Sequence, residues 1–179
     1  MKIESSMVRK LLITDVEQLD QITVYLENFD PGEGKITIEC FGKSWSSYWP
    51  AMSGRTVEEF FVDIDNGYAI KNLCGSLRDT VDDDVATEKM IKAKVIELRR
   101  SGQLSKQHAE WLYSEVTTAG DLRGSGCSLD KPNACQVLFG CEWFELDYPQ
   151  MPNHKYTYME RICDAVRAAL SQCQSQEAA

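Results

Sequence analysis

Near its start, the chain has three short runs rich in apolar, β-branched and aromatic residues, and the third of them alternates apolar with polar positions. Such runs are typical of strands, and they cover residues 8–14, 22–27 and 35–42. In the third run Ile36, Ile38 and Cys40 occupy every second position, as in a strand with one buried face. The segment 30–34, Asp-Pro-Gly-Glu-Gly, predicts a tight turn. The pattern therefore predicts a three-stranded antiparallel meander over residues 8–42.

After residue 55 the spacing of the apolar residues changes to the period of a helix. Thr56 and Glu59 form a capping box, which predicts the start of a helix. Helical spacing predicts further helices at 67–74, from Asp82 to Ser101, after Ser105 and at 155–173. Three other segments are predicted to be an aromatic loop at 43–55, a flexible loop at 117–135 and a late strand at 136–146.

These elements predict a fold of the α+β class. An N-terminal antiparallel meander would be followed by four or five helices packed on one face of the sheet. We expect a single domain overall, in which residues 1–116 form the α+β core and residues 117–135 a flexible loop. Residues 136–179, the late strand and the C-terminal helix, are expected to pack on the same core.

The composition is that of a folded protein, with 43% hydrophobic and 26% charged residues among 179. No apolar run reaches the roughly 18 residues that span a bilayer, and the first residues do not have the pattern of a signal peptide. We therefore expect a cytoplasmic protein. The chain has seven cysteines, an odd number, and this predicts free thiols in a reducing compartment.

The net charge of −9 narrows the range of partners. An acidic protein repels a phosphate backbone, so the charge argues against direct binding to nucleic acid. The same field favours proteins with basic surfaces. The charge is unevenly distributed, because residues 56–88 carry nine acids and two bases, whereas residues 89–106 carry six bases and one acid.

No catalytic or cofactor motif stands out along the chain, and we predict no cofactor. Four residues are conceivable zinc ligands: Cys127, Cys135, Cys141 and His154. Their spacing lacks the tight ligand pairs of structural zinc sites. Neither of the two histidines is next to a turn that carries a nucleophile. The Gly-Ser-Gly at 124–126 is not followed by the Gly-Lys of a phosphate-binding loop.

An aromatic segment directly precedes the acidic stretch. Trp45, Tyr48 and Trp49 either cover the core or anchor a partner, since Trp and Tyr are enriched at protein interfaces. Our hypothesis is an interface with these three residues as anchors and a rim of carboxylates. The predicted rim consists of Glu58, Glu59, Asp63, Asp65, Asp79, Asp82, Asp83 and Asp84.

Four segments within residues 8–61 carry a resemblance to known proteins: ITDVEQLD, FDPGEGKITIECFGKSW, SYWPAM and RTVEEFF. They resemble a family of uncharacterised accessory proteins from temperate tailed bacteriophages and prophages of enterobacteria. The resemblance implies a phage gene product that acts in the cytoplasm of a bacterial host. It brings no catalytic motif and no activity to these positions.

An acidic phage protein inside a bacterium suggests an inhibitor of host defence, of the anti-CRISPR or anti-restriction type. The effectors of such systems have basic grooves for nucleic acid, which an acidic protein can occupy. Two alternatives stay open at this point. One is a small cysteine-dependent or zinc-binding enzyme or metalloprotein, and the other is a phage regulator of host replication or transcription.

Overall fold

The computed structural model describes residues 1–3, 5, 7–124, 134–140 and 146–177. The chain forms two compact units. The first unit is Met1–Asp79 with Asn153–Ala179, and the second unit is Thr80–Pro152. The strands are β1 (Arg9–Ile13), β2 (Ile22–Asp30), β3 (Glu33–Cys40), β4 (Lys43–Trp49), β5 (Thr80–Asp82) and β6 (Gln150–Pro152). The helices are α1 (Val57–Asp63), α2 (Asn66–Leu73), α3 (Asp84–Arg100), α4 (Lys106–Glu115), α5 (Ala119–Gly124), α6 (Ala134–Phe139) and α7 (His154–Glu177).

Four strands form one antiparallel sheet in the order β1-β2-β3-β4. The predicted meander is confirmed, whereas the predicted loop at 43–55 is wrong for Lys43–Trp49, which pairs with β3. Phe41 and Gly42 have positive φ angles of 47° and 69°, and they form the two-residue turn whose twist suits a hairpin. Such turns are usually signalled by Asn-Gly or Asp-Gly. Phe-Gly gives no such signal, so the fourth strand was not predicted.

One face of this sheet packs against α1, α2 and α7. Ile22, Val24 and Ile38 on the sheet are fully buried together with Phe61 and Ile162 on the helices. Since side chains alternate along a strand, the remaining positions lie on the other face. We call this other face the open sheet face, and its members are Lys10, Leu12, Thr23, Tyr25, Glu27, Lys35, Thr37, Glu39, Ser44, Ser46 and Tyr48.

Helix α1 begins at the predicted capping box and approaches the sheet closely. The Thr56 hydroxyl accepts a hydrogen bond from the Glu59 amide at 3.3 Å, and the Glu59 carboxylate accepts one from the Thr56 amide at 2.9 Å. A Cβ atom at position 34 would collide with the side chain of Val57. Gly34 in β3 therefore allows α1 to lie directly on the sheet.

The second unit has its own apolar core, built by α3, α4, α5 and α6. The fully buried members of this core include Ile91, Leu112, Leu122, Ala134 and Cys135. The long helix predicted from Asp82 begins two residues later, because Thr80–Asp82 pairs with Gln150–Pro152 as a short antiparallel ribbon. The boundaries predicted at residues 116 and 135 both fall inside this unit.

Two predictions in the second unit are wrong. Part of the predicted loop at 117–135 is the helix Ala119–Gly124. The first residues of the predicted strand at 136–146 belong to the helix Ala134–Phe139, in which Ala134, Cys135 and Leu138 share one buried face. A short apolar run fits a buried helix as well as a buried strand, and here the helical spacing prevails. Residues 125–133 and 141–145 lie outside the described residues.

The predicted fold class, α+β with an N-terminal antiparallel meander, is confirmed. The part of the chain that the structure describes contains seven helices, more than the four or five expected. Of these, α1, α2 and α7 share a core with the sheet, and α3 to α6 surround the second core. None of the described helices is long and apolar enough to cross a membrane.

Candidate partner-binding surface

Strand β4 distributes the three predicted aromatic anchors over two faces. Trp49 points into the core with 3% of its surface exposed, and its ring centroid lies 5.2 Å from that of Phe60. Trp45 is half-buried and packs against the same core. Tyr48 lies on the open sheet face and is 51% exposed. Tyr48 is therefore the member of the set whose ring is open to a partner.

Tyr48 has an exposed aromatic neighbour in Phe29. The pairing of β2 with β3 shifts between Asn28 and Asp30, which makes Phe29 the extra residue of a β-bulge. The ring centroids of Phe29 and Tyr48 are 6.2 Å apart, within the range in which aromatic rings attract each other. Phe29 is 50% exposed. The bulge thus presents two neighbouring rings at one end of the sheet.

Carboxylates border this pair of rings. The Tyr48 hydroxyl donates a hydrogen bond to Glu33 at 2.6 Å, and this bond raises the pKa of Tyr48 above its usual value. Asp30 is exposed at the same turn. We call Phe29, Asp30, Glu33 and Tyr48 the aromatic–acidic corner. Exposed rings and carboxylates are the groups that bind Arg and Lys side chains, through cation–π contacts and charge-assisted hydrogen bonds.

Glu58, a member of the predicted rim, is buried. Its carboxylate accepts a hydrogen bond from the Asn28 side-chain amide at 2.9 Å and lies 3.6 Å from the Arg9 guanidinium. The Asn28 side-chain oxygen in turn accepts a hydrogen bond from the Val57 amide at 2.8 Å. Glu58 therefore helps to hold α1 on the sheet, and its carboxylate is already paired.

The other predicted rim residues of the first unit are exposed, and most have a local partner. Glu59 belongs to the capping box of α1, and Asp65 caps α2 by accepting a hydrogen bond from the Tyr68 amide at 2.8 Å. Asp63 lies 2.7 Å from Arg55. Asp79 is exposed at the end of the first segment of this unit.

Asp82, Asp83 and Asp84 belong to the second unit. Asp82 lies in β5 and accepts a hydrogen bond from the Gln150 side chain at 2.6 Å. Asp83 caps α3 by accepting a hydrogen bond from the Ala86 amide at 2.9 Å, and Asp84 is the exposed first residue of that helix. Their placement is the one that a helix dipole favours for acids. A role of these carboxylates in binding stays a prediction.

Phe29 and Glu33 were missed at the sequence level. The alternation of Tyr25 and Glu27 along β2 already places position 29 on the face opposite the core. The same alternation in residues 43–49 would have separated Tyr48 from Trp49. The second signal depends on identifying β4 as a strand, and Phe29 gains its aromatic partner only when Tyr48 is placed on the same face of the sheet, two strands away.

The cysteines that the structure describes are free thiols: Cys40, Cys74, Cys135, Cys163 and Cys173. Cys135 is buried and donates to the Leu122 carbonyl at 3.3 Å. Cys127 and Cys141, two of the conceivable zinc ligands, lie outside the described residues. Within the described ranges, no cluster of three or more His, Cys, Asp or Glu side chains is arranged to hold a metal ion.

Comparison with protein families relates the chain to a phage family. A family model described as a phage family, Phage_phiTE_072, matches residues 1–172. The match covers nearly the whole chain and therefore extends well beyond residues 8–61, where the resemblance was carried by sequence motifs. The chain matches no curated protein and no solved structure.

Proposed function

Because the chain belongs to the phage family Phage_phiTE_072, we propose that it is an accessory binding protein, without catalytic activity, of temperate phages. It acts in the cytoplasm of the bacterial host. Its target is the basic surface of a defence protein that handles nucleic acid, of the CRISPR or restriction type. By occupying that surface, it keeps the nucleic acid away.

The observation that carries the proposal is the exposed Phe29–Tyr48 ring pair beside Glu33. Energetic hot spots of protein interfaces are enriched in aromatic residues that stay rigid on binding. The hydrogen bond to Glu33 holds the Tyr48 ring in place. An Arg or Lys side chain of the partner can stack on either ring and pair with the Glu33 or Asp30 carboxylate.

The overall charge supports the same kind of partner. With a net charge of −9, the protein attracts a basic groove over several ångströms and so accelerates the encounter. A nucleic acid competes for the same groove through its phosphates. Binding to the target should therefore weaken as the salt concentration rises.

A plating assay tests the proposal. The protein is expressed in hosts that carry a restriction or CRISPR system and in hosts without one, and the plating efficiency of a targeted phage is measured. We expect expression to raise the efficiency only on a defended host. The double variant Phe29→Ala/Tyr48→Ala should lose at least about tenfold of this gain, because each hot-spot residue contributes roughly 2 kcal/mol or more.

Phe41→Ala is the matched control. Phe41 is 75% exposed at the turn between β3 and β4, the opposite end of β3 from the corner. This variant also removes one exposed ring, and it should keep the full effect. The proposal is wrong if no defended host responds to the wild-type protein, or if the double variant protects as well as the wild type does.

A further inference from the structure

An open groove lies between helices α3 and α4 of the second unit. The two helices are joined by the short segment 101–105. Nine residues line the groove: Val95, Ile96, Arg99, Arg100, Lys106, Ala109, Glu110, Tyr113 and Ser114. Its volume of about 610 Å³ lies within the usual range of small-molecule sites.

The floor and walls of the groove are mainly apolar. Val95 and Ala109 come from the core side, whereas Ile96 and Tyr113 are 39% and 44% exposed. Ile96 lies outside the inward-facing stripe of α3, which runs through Ile91, Val95 and Leu98. Its side chain therefore faces the groove without being needed for the core. Covering this surface with an apolar ligand would be favourable.

The three basic side chains that line the groove gather at one end of it, whereas Lys92, which lies over the Tyr113 ring near the other end, is paired with Glu88. Arg99 and Arg100 end α3, and Lys106 begins α4, so all three flank the connecting segment. Arg99 donates a hydrogen bond to the Leu104 carbonyl at 3.4 Å. The Arg100 guanidinium makes no hydrogen bond or ion pair with any residue that the structure describes.

Acids of the groove neutralise the charge at this end only in part. Glu110, its acidic lining residue, lies 3.8 Å from Lys106, and both side chains are largely exposed. The negative end of the α3 dipole and the positive end of the α4 dipole meet here and oppose each other. Because Lys106 is paired with Glu110, the net positive charge at this end comes from the two guanidinium groups.

We propose that this groove binds a small amphipathic anion, a medium-chain carboxylate of the fatty-acid type. The carboxylate lies between Arg99, Arg100 and Lys106, and the chain extends along Ile96 and Ala109 toward Tyr113. Tyr113 lies seven positions after Lys106, which corresponds to about 10 Å of helix. An apolar chain with a charge at one end matches a groove with the same asymmetry. The proposed ligand of this groove is an anion, whereas the proposed partner of the aromatic–acidic corner is a basic protein surface. The two proposals are therefore tested independently.

Calorimetric titration of the full chain with sodium decanoate tests the proposal. We expect one saturable site for decanoate. Decanol, which has the same chain without a charge, should bind at least about tenfold more weakly, because charge-assisted hydrogen bonds are roughly twice as strong as neutral ones. Decyltrimethylammonium, with the opposite charge, should not bind in the groove.

Two pairs of variants locate the site. Arg100→Glu should weaken decanoate binding about tenfold or more, whereas Lys89→Glu makes the same charge change on α3 away from the groove and should have little effect. Ile96→Asp should abolish binding, and Val85→Asp, at an exposed apolar site of α3, is its control. Circular dichroism checks that each variant is folded.

Three results would overturn the proposal. The first is no saturable binding of decanoate, which is also what a groove that accepts only a protein helix would give. The second is equal affinity for decanoate and decanol, which would mean that the bases do not recognise the carboxylate. The third is folded Arg100→Glu protein with the affinity of the wild type.

Discussion

The two units of this chain form their cores from contacts of different range. In the first unit, sheet residues such as Ile38 pack against Ile162 of α7, far along the chain. In the second unit, α4 follows α3 after a short connecting segment, and Val95 of α3 and Leu112 of α4 belong to the same core. Between Asp79 and Asn153 the chain leaves the first unit and returns to it, and the Asn153 amide donates to the Asp79 carbonyl at 2.8 Å.

The two units therefore differ in the contacts that stabilise them and in the chemistry of their candidate binding surfaces. The first unit fixes its elements by tertiary bridges such as Asn28 between β2 and α1. The second unit has one such bridge in the β5–β6 ribbon, and its helices α3 and α4 carry caps and pairs within one helix, such as Lys94 with Glu97. The corresponding candidate surfaces also differ in charge, because the corner of the first unit is acidic and the groove of the second unit is basic.

Loss of a core side chain should give the largest effect and should separate the two units. Phe61 and Leu112 are fully buried in the first and the second core. Phe61→Ala should lower the free energy of unfolding by about 3–5 kcal/mol and Leu112→Ala by about 2–5 kcal/mol, since each leaves a cavity. Amide hydrogen exchange should accelerate in α1, α2 and α7 for the first variant and in α3 and α4 for the second.

The exchange pattern is the sharper part of this test. The surface substitution Ser175→Ala in α7 serves as a control that should leave both cores unchanged. If both core variants accelerate exchange equally in all helices, the two cores open together, and the comparison between them does not hold.

The parts of the fold that were predicted from the sequence depend on local signals. The Thr56–Glu59 capping box and the alternation of Ile36, Ile38 and Cys40 each act within a few residues. The β3–β4 hairpin was missed because Phe41 adopts a positive φ that its side chain does not favour. The α6 helix was missed because a short apolar run is compatible with both a buried strand and a buried helix, and only its packing in the second core decides between them.

High pH should loosen the first unit through Tyr158. Its hydroxyl shares a hydrogen bond with the Cys40 thiol at 3.3 Å, and this bond, together with burial, raises the pKa of Tyr158 to about 12. An unfolded tyrosine ionises near pH 10. The folded state thus favours the neutral phenol, and the stability it contributes is present below about pH 10 and is lost toward pH 12.

Thermal unfolding of the wild type and of Tyr158→Phe from about pH 9 to about pH 11 measures this contribution. The midpoint of the wild type should fall more steeply with pH than that of the variant. Tyr68→Phe, which removes the hydroxyl of an exposed tyrosine, should keep the wild-type slope. Equal slopes for all three proteins would show that the Tyr158–Cys40 contact does not link α7 to the sheet energetically.

Removal of the Asn28 bridge should have a moderate effect. Asn28→Ala leaves the Glu58 carboxylate without one of its two partners and the Val57 amide without its acceptor. We expect a loss of about 1–3 kcal/mol in chemical denaturation, the usual cost of an unsatisfied polar group. Asn72→Ala, which removes an exposed hydrogen bond within α2, should cost less than about 0.5 kcal/mol.

The candidate surfaces were predicted less completely than the fold. Tyr48 was identified, but Phe29 depends on a bulge that only the pairing of β2 with β3 reveals. The six bases of residues 89–106 were visible in the sequence, yet the gathering of three of them, Arg99, Arg100 and Lys106, at one end of a groove requires the antiparallel packing of α4 on α3. Ile96 was not identified for the same reason. It lies outside the buried stripe of α3, and only the position of α4 shows that it lines a groove.

The smallest effects should come from the acids that begin α3, and they test whether the second unit depends on local caps. Asp83→Ala removes the acceptor of the Ala86 amide and should cost about 1 kcal/mol. Asp84→Ala removes only a charge at the positive end of the helix dipole, so about 0.3–1 kcal/mol is expected.

Denaturation at low and at high salt separates the two terms, because salt screens the dipole interaction and leaves the capping hydrogen bond largely intact. A loss for Asp83→Ala that disappears at high salt would mean that this residue acts by charge alone. A loss that persists identifies a cap, and Asp83 and Asp84 are then explained by helix formation before any binding partner is considered.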